Sequence, residues 1–264
     1  MIITTASKER ETEVLKFLTE FKKEEIYLFV EPQEFEKYTN MYPQVTVVNI
    51  QKSNLGFSYL MDFINKYVLN VLKQKYYFFL DDDIKGFEKR NEENKLRKIK
   101  DNKEIKDMFD IIDLFISSEN ISQVGLSFNV HNRFCEEDIE YDKGSWCALC
   151  NNAEDIEAIG GYELGIKIFS DWEISARLIS KEYKTAVLYK YAFNHQMKSA
   201  KGGAEFIYKD NSIVDNACKF LREKYGDVCE IKFNESHQMN EIRFKWKALR
   251  TQSNKLINKK LLKD

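Results

Sequence analysis

The stretch Tyr76-Tyr77-Phe78-Phe79-Leu80-Asp81-Asp82-Asp83-Ile84 constrains this chain more than any other. Apolar and aromatic residues run directly into three acids. A short, aromatic-rich run of this kind reads as a buried β-strand, and the acids begin where it ends. In an open α/β sheet, ligands bind in the crevice beyond the carboxyl ends of the strands. Asp81 and Asp83 are two residues apart, so in extended chain both face one side. Three crowded carboxylates repel one another, and a divalent cation relieves that repulsion. One or two carboxylates together with substrate phosphates suit Mg²⁺ or Mn²⁺. The competing reading is an acidic turn or helix start, where aspartate is favoured in any case.

The flanking pattern gives the strand its setting. Met1–Thr5 is β-prone, and Val14, Phe17, Leu18 and Phe21 recur at helical spacing, which predicts an amphipathic helix. Ile26–Val30 reads as a strand stopped by Pro32, and Val45–Ile50 as another. Asn54-Leu55-Gly56 is a turn, after which Phe57, Leu60, Met61, Ile64, Val68 and Val71 mark a long helix. The order β-α-β-α-β-α-β is most economically a parallel, doubly wound sheet, an α/β fold, and residues 1–84 have the form of a nucleotide-binding half. Residues 85–106 hold nine Lys/Arg and five Asp/Glu; a solvated loop leading into a helix is expected there. Ile105 to Ile116 reads as helix, Gln123–Val130 and Trp146–Cys150 as strands, Ala153–Ile159 as a short helix ended by Gly160-Gly161, Asp171–Ser180 as a helix and Thr185–Leu188 as a strand. Beyond residue 205 we expect a helix over Ile213–Tyr225, a strand at Cys229–Phe233 and a helix from Asn240. The chain thus divides into a domain over 1–205 and a mostly helical extension over 206–264.

Composition excludes several classes. With 43% hydrophobic and 32% charged residues the chain is globular. A net charge of −2 gives no global basic field for non-specific nucleic-acid binding. No apolar run has the length of a membrane span and no signal-peptide pattern opens the chain, so the expectation is a soluble, cytoplasmic protein without membrane contact. The five cysteines are an odd set, expected as free thiols. Cys147-Ala-Leu-Cys150 lacks the second pair of a zinc ribbon and reads as small buried residues of a strand. Oligomeric state is not legible.

Four pieces follow one another in order: the strand ending at Thr4-Thr5 with Lys8 and Arg10 after it, Asn54-Leu55-Gly56 opening a helix, Asp81-Asp82-Asp83 at a strand end, and Gly160-Gly161-Tyr162-Glu163 followed by Asp171-Trp172-Glu173. Over about residues 1–200 this resembles the GT-A glycosyltransferases, whose Rossmann-like N-terminal half carries a DxD motif and whose acceptor-side half, here 120–205, often has a Gly-Gly and an acidic pair. More narrowly, Phe78 to Ile84, Asp171-Trp172-Glu173 and Lys198-Ser-Ala-Lys201-Gly202-Gly203 resemble the TET-associated glycosyltransferases. These are found chiefly in bacteriophages and are thought to add sugars to hydroxymethylated pyrimidines of DNA, which would place the protein in the host cytoplasm.

The resemblance implies a UDP-sugar donor with Mn²⁺ or Mg²⁺. Asp81 and Asp83 are then the metal ligands, and Asp82 faces the donor ribose or sugar. His195 stands where a C-terminal histidine often completes the metal shell, although a lone histidine is commonly structural. Thr4, Thr5, Lys8 and Arg10 would sit beside the nucleobase, and Asn54 and Gly56 would bring a helix N-terminus near the donor. Lys198 and Lys201 would neutralise phosphate, while Gly202 and Gly203 let backbone N–H groups approach it; a plain surface turn is the alternative. An inverting transfer needs a carboxylate to take the acceptor proton, and Asp171 is the candidate, with Glu173 as alternative or as a sugar contact. In a retaining enzyme Asp171 would only hold the sugar.

A DNA acceptor requires phosphate contacts, and residues 243–264, with eight Lys/Arg around Trp246, offer them. Ile242, Trp246, Leu249 and Leu256 equally suit a helix packed on the domain. Two other functions compete: the same fold acting on a glycan, lipid-linked sugar or protein, and a nucleotidyltransferase. The segment Ala6-Ser7-Lys8-Glu9-Arg10 lacks the glycine of a nucleotidyltransferase phosphate loop, which weighs against the last. A module that binds a nucleotide-sugar without turnover is the non-catalytic reading.

Overall fold

The computed structural model describes residues 1–132, 135–195, 211–235 and 238–251. Its centre is a ten-stranded sheet. β1 (Ile3–Ala6), β2 (Ile26–Val30), β3 (Thr46–Asn49) and β4 (Tyr76–Asp81) form a parallel block in the order β3-β2-β1-β4. Beyond β4 the sheet is mixed. It continues through β9 (Ala148–Asn152), β7 (Gln123–Phe128) and β10 (Thr185–His195) to β5 (Ile84–Arg90) and β6 (Leu96–Lys98), with β8 (Ile139–Tyr141) also paired to β10. The β7–β10 pair is parallel, and β4–β9, β9–β7 and β10–β5 are antiparallel.

The aromatic run of β4 explains why this strand lies near the middle. Side chains alternate across a strand. Phe78 and Leu80 enter one core, with the helix α3 (Asn102–Ser118), whereas Tyr77 and Phe79 enter the other, with α2 (Phe57–Asn70) and α5 (Ala153–Ala158). Both faces are covered, so β4 is apolar throughout and turns acidic only where it leaves the sheet. A third core joins α6 (Ser170–Ser180), α7 (Asn211–Tyr225) and the hairpin β11 (Cys229–Asn234) and β12 (Met239–Phe244). Among the described residues the two remaining helices, α1 (Phe35–Met41) and α4 (Asn129–Asn132), are short.

Four sequence expectations are overturned here. Residues 13–17 form a 3-10 turn rather than a helix running to Phe21: the Val14 N–H donates to the Asp82 carbonyl (3.1 Å), which ties the segment to the acidic turn. Val14 and Leu15 are still buried and Phe17 partly so, so the periodicity marked the inward side and not the backbone state. Residues 84–98 are a strand hairpin, β5 and β6. β6 is the open edge of the sheet, where Arg97 and Lys98 deter further pairing, and the charges of both strands mask the inward Ile84 and Phe87. β10 runs past Leu188 to His195. Residues 239–244 are the strand β12, and helix begins only at Trp246.

Candidate active site

β1, β2 and β4 end side by side, and the residues just beyond them build the site. In the register Ala6 lies opposite Asp81, so the loop after β1 passes over the acids. Three side-chain anchors hold that loop. Tyr38 accepts from the Arg10 N–H (3.2 Å), Tyr42 from the Thr12 N–H (2.9 Å), and Glu34 from the Glu9 N–H (2.8 Å).

Asp82 is buried and turned into this loop. It accepts from the Ser7 hydroxyl (2.7 Å) and from Arg10 through Nε (2.8 Å) and Nη2. Such a planar, two-point fork is the strong form of a carboxylate pair. Arg10 also reaches Asp83 (3.4 Å). The expectations that Asp82 faces the donor and that Arg10 lies by the nucleobase therefore meet a different arrangement, because each already holds the other. Asp82→Ala is expected to leave the Arg10 guanidinium with only its longer contact to Asp83 and to destabilise the fold by about 3–5 kcal/mol, read by denaturant unfolding; a loss below about 1 kcal/mol would contradict it.

Asp81 and Asp83 remain. Burial raises the pKa of both carboxyls. For Asp81 the Asp83 charge adds to this, while a hydrogen bond with the Cys147 thiol opposes it. For Asp83 the neighbouring Arg10 opposes it most, then His195. The Asp83 Oδ1 is buried with no hydrogen-bond partner among the described residues. Two adjacent carboxylates that are costly to ionise, one with an unpartnered buried oxygen, are the donor set that a hard divalent cation satisfies. No three His, Cys, Asp or Glu side chains converge into a complete cage among the described residues, so substrate oxygens would have to supply the rest. His195 closes β10 opposite Ile84, and its ring lies against Phe128 (5.0 Å between centroids) at the margin of the cluster.

At the ends of β1 and β2, Lys8 donates to Asn54 Oδ1 (2.6 Å) and Glu31 Oε1 (3.3 Å), and Glu31 also accepts from the Asn54 N–H (2.7 Å) and Gln33 (2.6 Å). Burial would raise the Glu31 pKa, but the Asn54 N–H, Gln33 and Lys8 outweigh it and hold the carboxyl below its usual range. Sequence reasoning missed Glu31, Ser7 and Tyr38. Only Glu31 left a signal, as an acid directly after a buried strand. Thr4 and Thr5 are fully buried within β1, and the Thr4 hydroxyl donates to the Phe78 carbonyl (2.7 Å). They belong to the sheet, contrary to the expected nucleobase contact. Gly56 precedes α2 with φ of +89° and lies against Lys167, so the 163–168 segment covers the helix start.

The other wall of the site is built on α6. Phe169, in the left-handed region at φ +65°, turns the chain sharply into the helix. Asp171 accepts from the Trp172 N–H (2.9 Å), and burial pushes its carboxyl up to about 7 against that hydrogen bond. Its charge is the last of the causes that raise the pKa of Asp81, so the two carboxyls lie within electrostatic reach of each other. Glu173 differs: it is fully buried, with ion pairs to Lys224 (2.8 Å) and Arg177 (3.0 Å) and a hydrogen bond from the Tyr225 hydroxyl (2.9 Å). Gly160 and Gly161, at φ +98° and +71°, form the turn whose carbonyl Arg177 caps, and a Cβ on Gly161 would meet Asp62 Oδ1 at 2.7 Å. Trp172 stacks on Trp146 (5.2 Å) and leans on Trp246 (5.8 Å). Lys198, Lys201, Gly202 and Gly203 lie outside the described residues, as does Leu256. All five cysteines are free.

Comparison with known proteins places this arrangement. The family model described as TET-Associated Glycosyltransferase matches residues 1–203. The chain belongs to the TET-associated glycosyltransferase family. No curated protein matches it by sequence. Among solved structures, the mannosyltransferase PcManGT of Pyrobaculum calidifontis, in complex with GDP-Man and Mn²⁺, is similar with a TM-score of 0.53 at 6% identity, covering 84% of this chain and 64% of that one. S. aureus TarS 1–349 in complex with UDP is similar at 0.46 and 14% identity, covering 83% and 65%. GalNAc-T7 with UDP, GalNAc and Mn²⁺ is similar at 0.48 and 10% identity, covering 96% and 54%. The TET-associated chain thus spans less than two thirds of each of these relatives. The fold is GT-A. No helix among the described residues is long and apolar enough to cross a membrane.

Proposed function

We propose that this TET-associated glycosyltransferase transfers a sugar from a UDP-sugar to a hydroxyl acceptor, a 5-hydroxymethylated pyrimidine of DNA, with the help of a divalent cation. The observation that carries the reading is the grouping, at the carboxyl end of β4, of Asp81 and Asp83, both costly to ionise and the latter with an unpartnered buried oxygen, within electrostatic reach of Asp171, whose carboxyl burial pushes up to about 7. The first two fit a metal–diphosphate, and the third fits a general base. Family membership supports the transfer chemistry.

In this reading the diphosphate lies over the turn after β4. Asp81 and Asp83 would hold the cation, which as a Lewis acid stabilises the leaving diphosphate. Asp82 and Arg10 fix the loop that shapes this crevice, and Lys8, Asn54 and Glu31 form the polar wall at the ends of β1 and β2. Asp171 takes the proton of the acceptor hydroxyl as its oxygen bonds to the anomeric carbon. The bond from that carbon to the diphosphate oxygen breaks, and its electron pair leaves with UDP. This assigns an inverting outcome. Glu173 positions α6 rather than reacting.

The test is a transfer assay with a panel of UDP-sugars and DNA carrying 5-hydroxymethylcytosine or 5-hydroxymethyluracil, with Mn²⁺ or with EDTA, read by mass spectrometry of the nucleosides. The expected result is a gain of one sugar mass on the base that disappears in EDTA. UDP release with product found only on glycan or protein acceptors would overturn the DNA reading, and transfer at full rate in EDTA would overturn the metal site.

A further inference from the structure

Beside the acidic cluster lies a cavity of about 340 Å³ that none of the roles above uses. Its walls include Trp146, Phe128 and Tyr189, and its half-exposed lining includes Cys135, Glu140 and Lys143. Two walls lead straight to the candidate active site. Trp146 adjoins Cys147, whose carbonyl accepts the Asp81 N–H (2.8 Å), and it stacks on Trp172, the residue after Asp171. Phe128 packs on His195, which sits opposite Ile84, next to Asp83. The volume is at the lower end of small-ligand sites.

The polar equipment is compact. Lys143 donates to Glu140 and to the Tyr189 hydroxyl (2.5 Å), its ammonium standing beyond that hydroxyl, 5.2 Å from the ring centroid. A donor and an acceptor stand side by side in a lining that also holds three aromatic side chains. A pyrimidine presents the complementary set, with two flat faces and an edge that alternates acceptor and donor. Extruded bases are read in this way, by stacking and by hydrogen bonds to the edge.

We infer that this cavity is the acceptor slot: it takes one planar heteroaromatic ring extruded from its strand, between Trp146, Phe128 and Tyr189, with Lys143 and Glu140 reading its polar edge. The inference rests on the proposed transfer and adds which surface selects the acceptor. It also accounts for the Trp146–Trp172–Trp246 contacts, which fix the Trp146 wall relative to Asp171.

Cys135 supplies the test, because it lines the cavity and is half-exposed. Cys150, Cys218 and Cys229 are buried, and burial together with the Asp81 carboxylate raises the Cys147 thiol well above its ordinary pKa, so its thiolate is scarce. Alkylation of Cys135 by iodoacetamide is followed by peptide mass spectrometry on the full chain without donor. The probes are a short single strand containing 5-hydroxymethylcytosine, the same strand containing 5-hydroxymethyluracil, and maltotriose. The slot predicts that a saturating strand slows alkylation about tenfold and that maltotriose does not. It also predicts that Lys143→Met raises the strand concentration needed for half-protection by about tenfold. Unchanged alkylation with both strands, or equal protection by maltotriose, overturns the slot. Transfer to hydroxymethylpyrimidine DNA without protection of Cys135 leaves the proposed function standing and removes the slot. Protection without transfer does the reverse.

Discussion

Asp171→Asn is expected to lower the transfer rate by about two to four orders of magnitude, the span of a lost general base, while making the protein more stable in alkaline solution. Both effects have one origin. Burial holds the Asp171 carboxyl at about 7, against an ordinary value of 3.8. The folded chain therefore keeps a proton that the unfolded chain gives up. Below about pH 4 both states are protonated and nothing is lost. Between about pH 4 and 7 the unfolded state ionises first, so stability falls as pH rises, and above about pH 7 the penalty is complete. Three units correspond to about 4 kcal/mol, which partial exposure reduces to about 2–4. Denaturant unfolding of wild type and Asp171→Asn in EDTA between pH 4 and 8.5 reads this directly. The expected difference opens with pH in favour of the variant and levels off above about 7. Activity moves oppositely: wild-type transfer rises with pH up to about 7, where the base is ionised, and the variant's residual rate lacks that rise. Equal stability at all pH values would contradict the buried carboxyl, and an unchanged rate would remove Asp171 from the reaction.

The same residue shows what a sequence reader can and cannot see. Asp171 was legible because a carboxylate at a helix start after Gly-Gly is a recognisable pattern, and Asp81–Asp83 because the aromatic strand in front of them has no other place than inside a sheet. The parallel block β1–β4 followed from period and order. What failed to show was anything that depends on partners remote in the chain. Asp82 and Asp83 look alike in sequence, yet a loop more than 70 residues away turns one into an anchor for Arg10 and leaves an oxygen of the other unpartnered. Thr4 and Thr5 looked available because they end a strand as read from the sequence, whereas β1 runs on to Ala6 and keeps both inside. The β5–β6 hairpin was masked by charge, since the apolar period of an edge strand is carried by very few residues. Glu31 was visible in principle as an acid beyond a strand, but only the three-way contact with Lys8 and Asn54 gives it meaning.

Glu173 carries the other large effect, and it is one of stability. Two residues from Asp171 in sequence, it was the alternative base. In the fold its carboxylate is fully buried between Lys224, Arg177 and Tyr225. Lys224 also pairs with Glu163 (2.9 Å), so one buried charge joins α6, α7 and the segment after Gly161. Removing one member of such a cluster leaves opposite charge uncompensated, whereas an exposed pair costs little. Glu173→Ala is expected to destabilise the protein by about 3–5 kcal/mol, and Glu173→Gln, which keeps the shape and a hydrogen bond to Tyr225, by less than Glu173→Ala. The pH profile separates support from catalysis. In Glu173→Gln, assayed at low temperature where it is folded, transfer is expected still to rise toward about pH 7, since the proposed base Asp171 is untouched. A Glu173→Gln enzyme that is fully stable but has lost this rise would make Glu173 the base after all. α6 would then present its reactive carboxylate from the buried side, through a cluster that leaves no oxygen free to meet an acceptor, and that contradiction is why the assignment goes to Asp171.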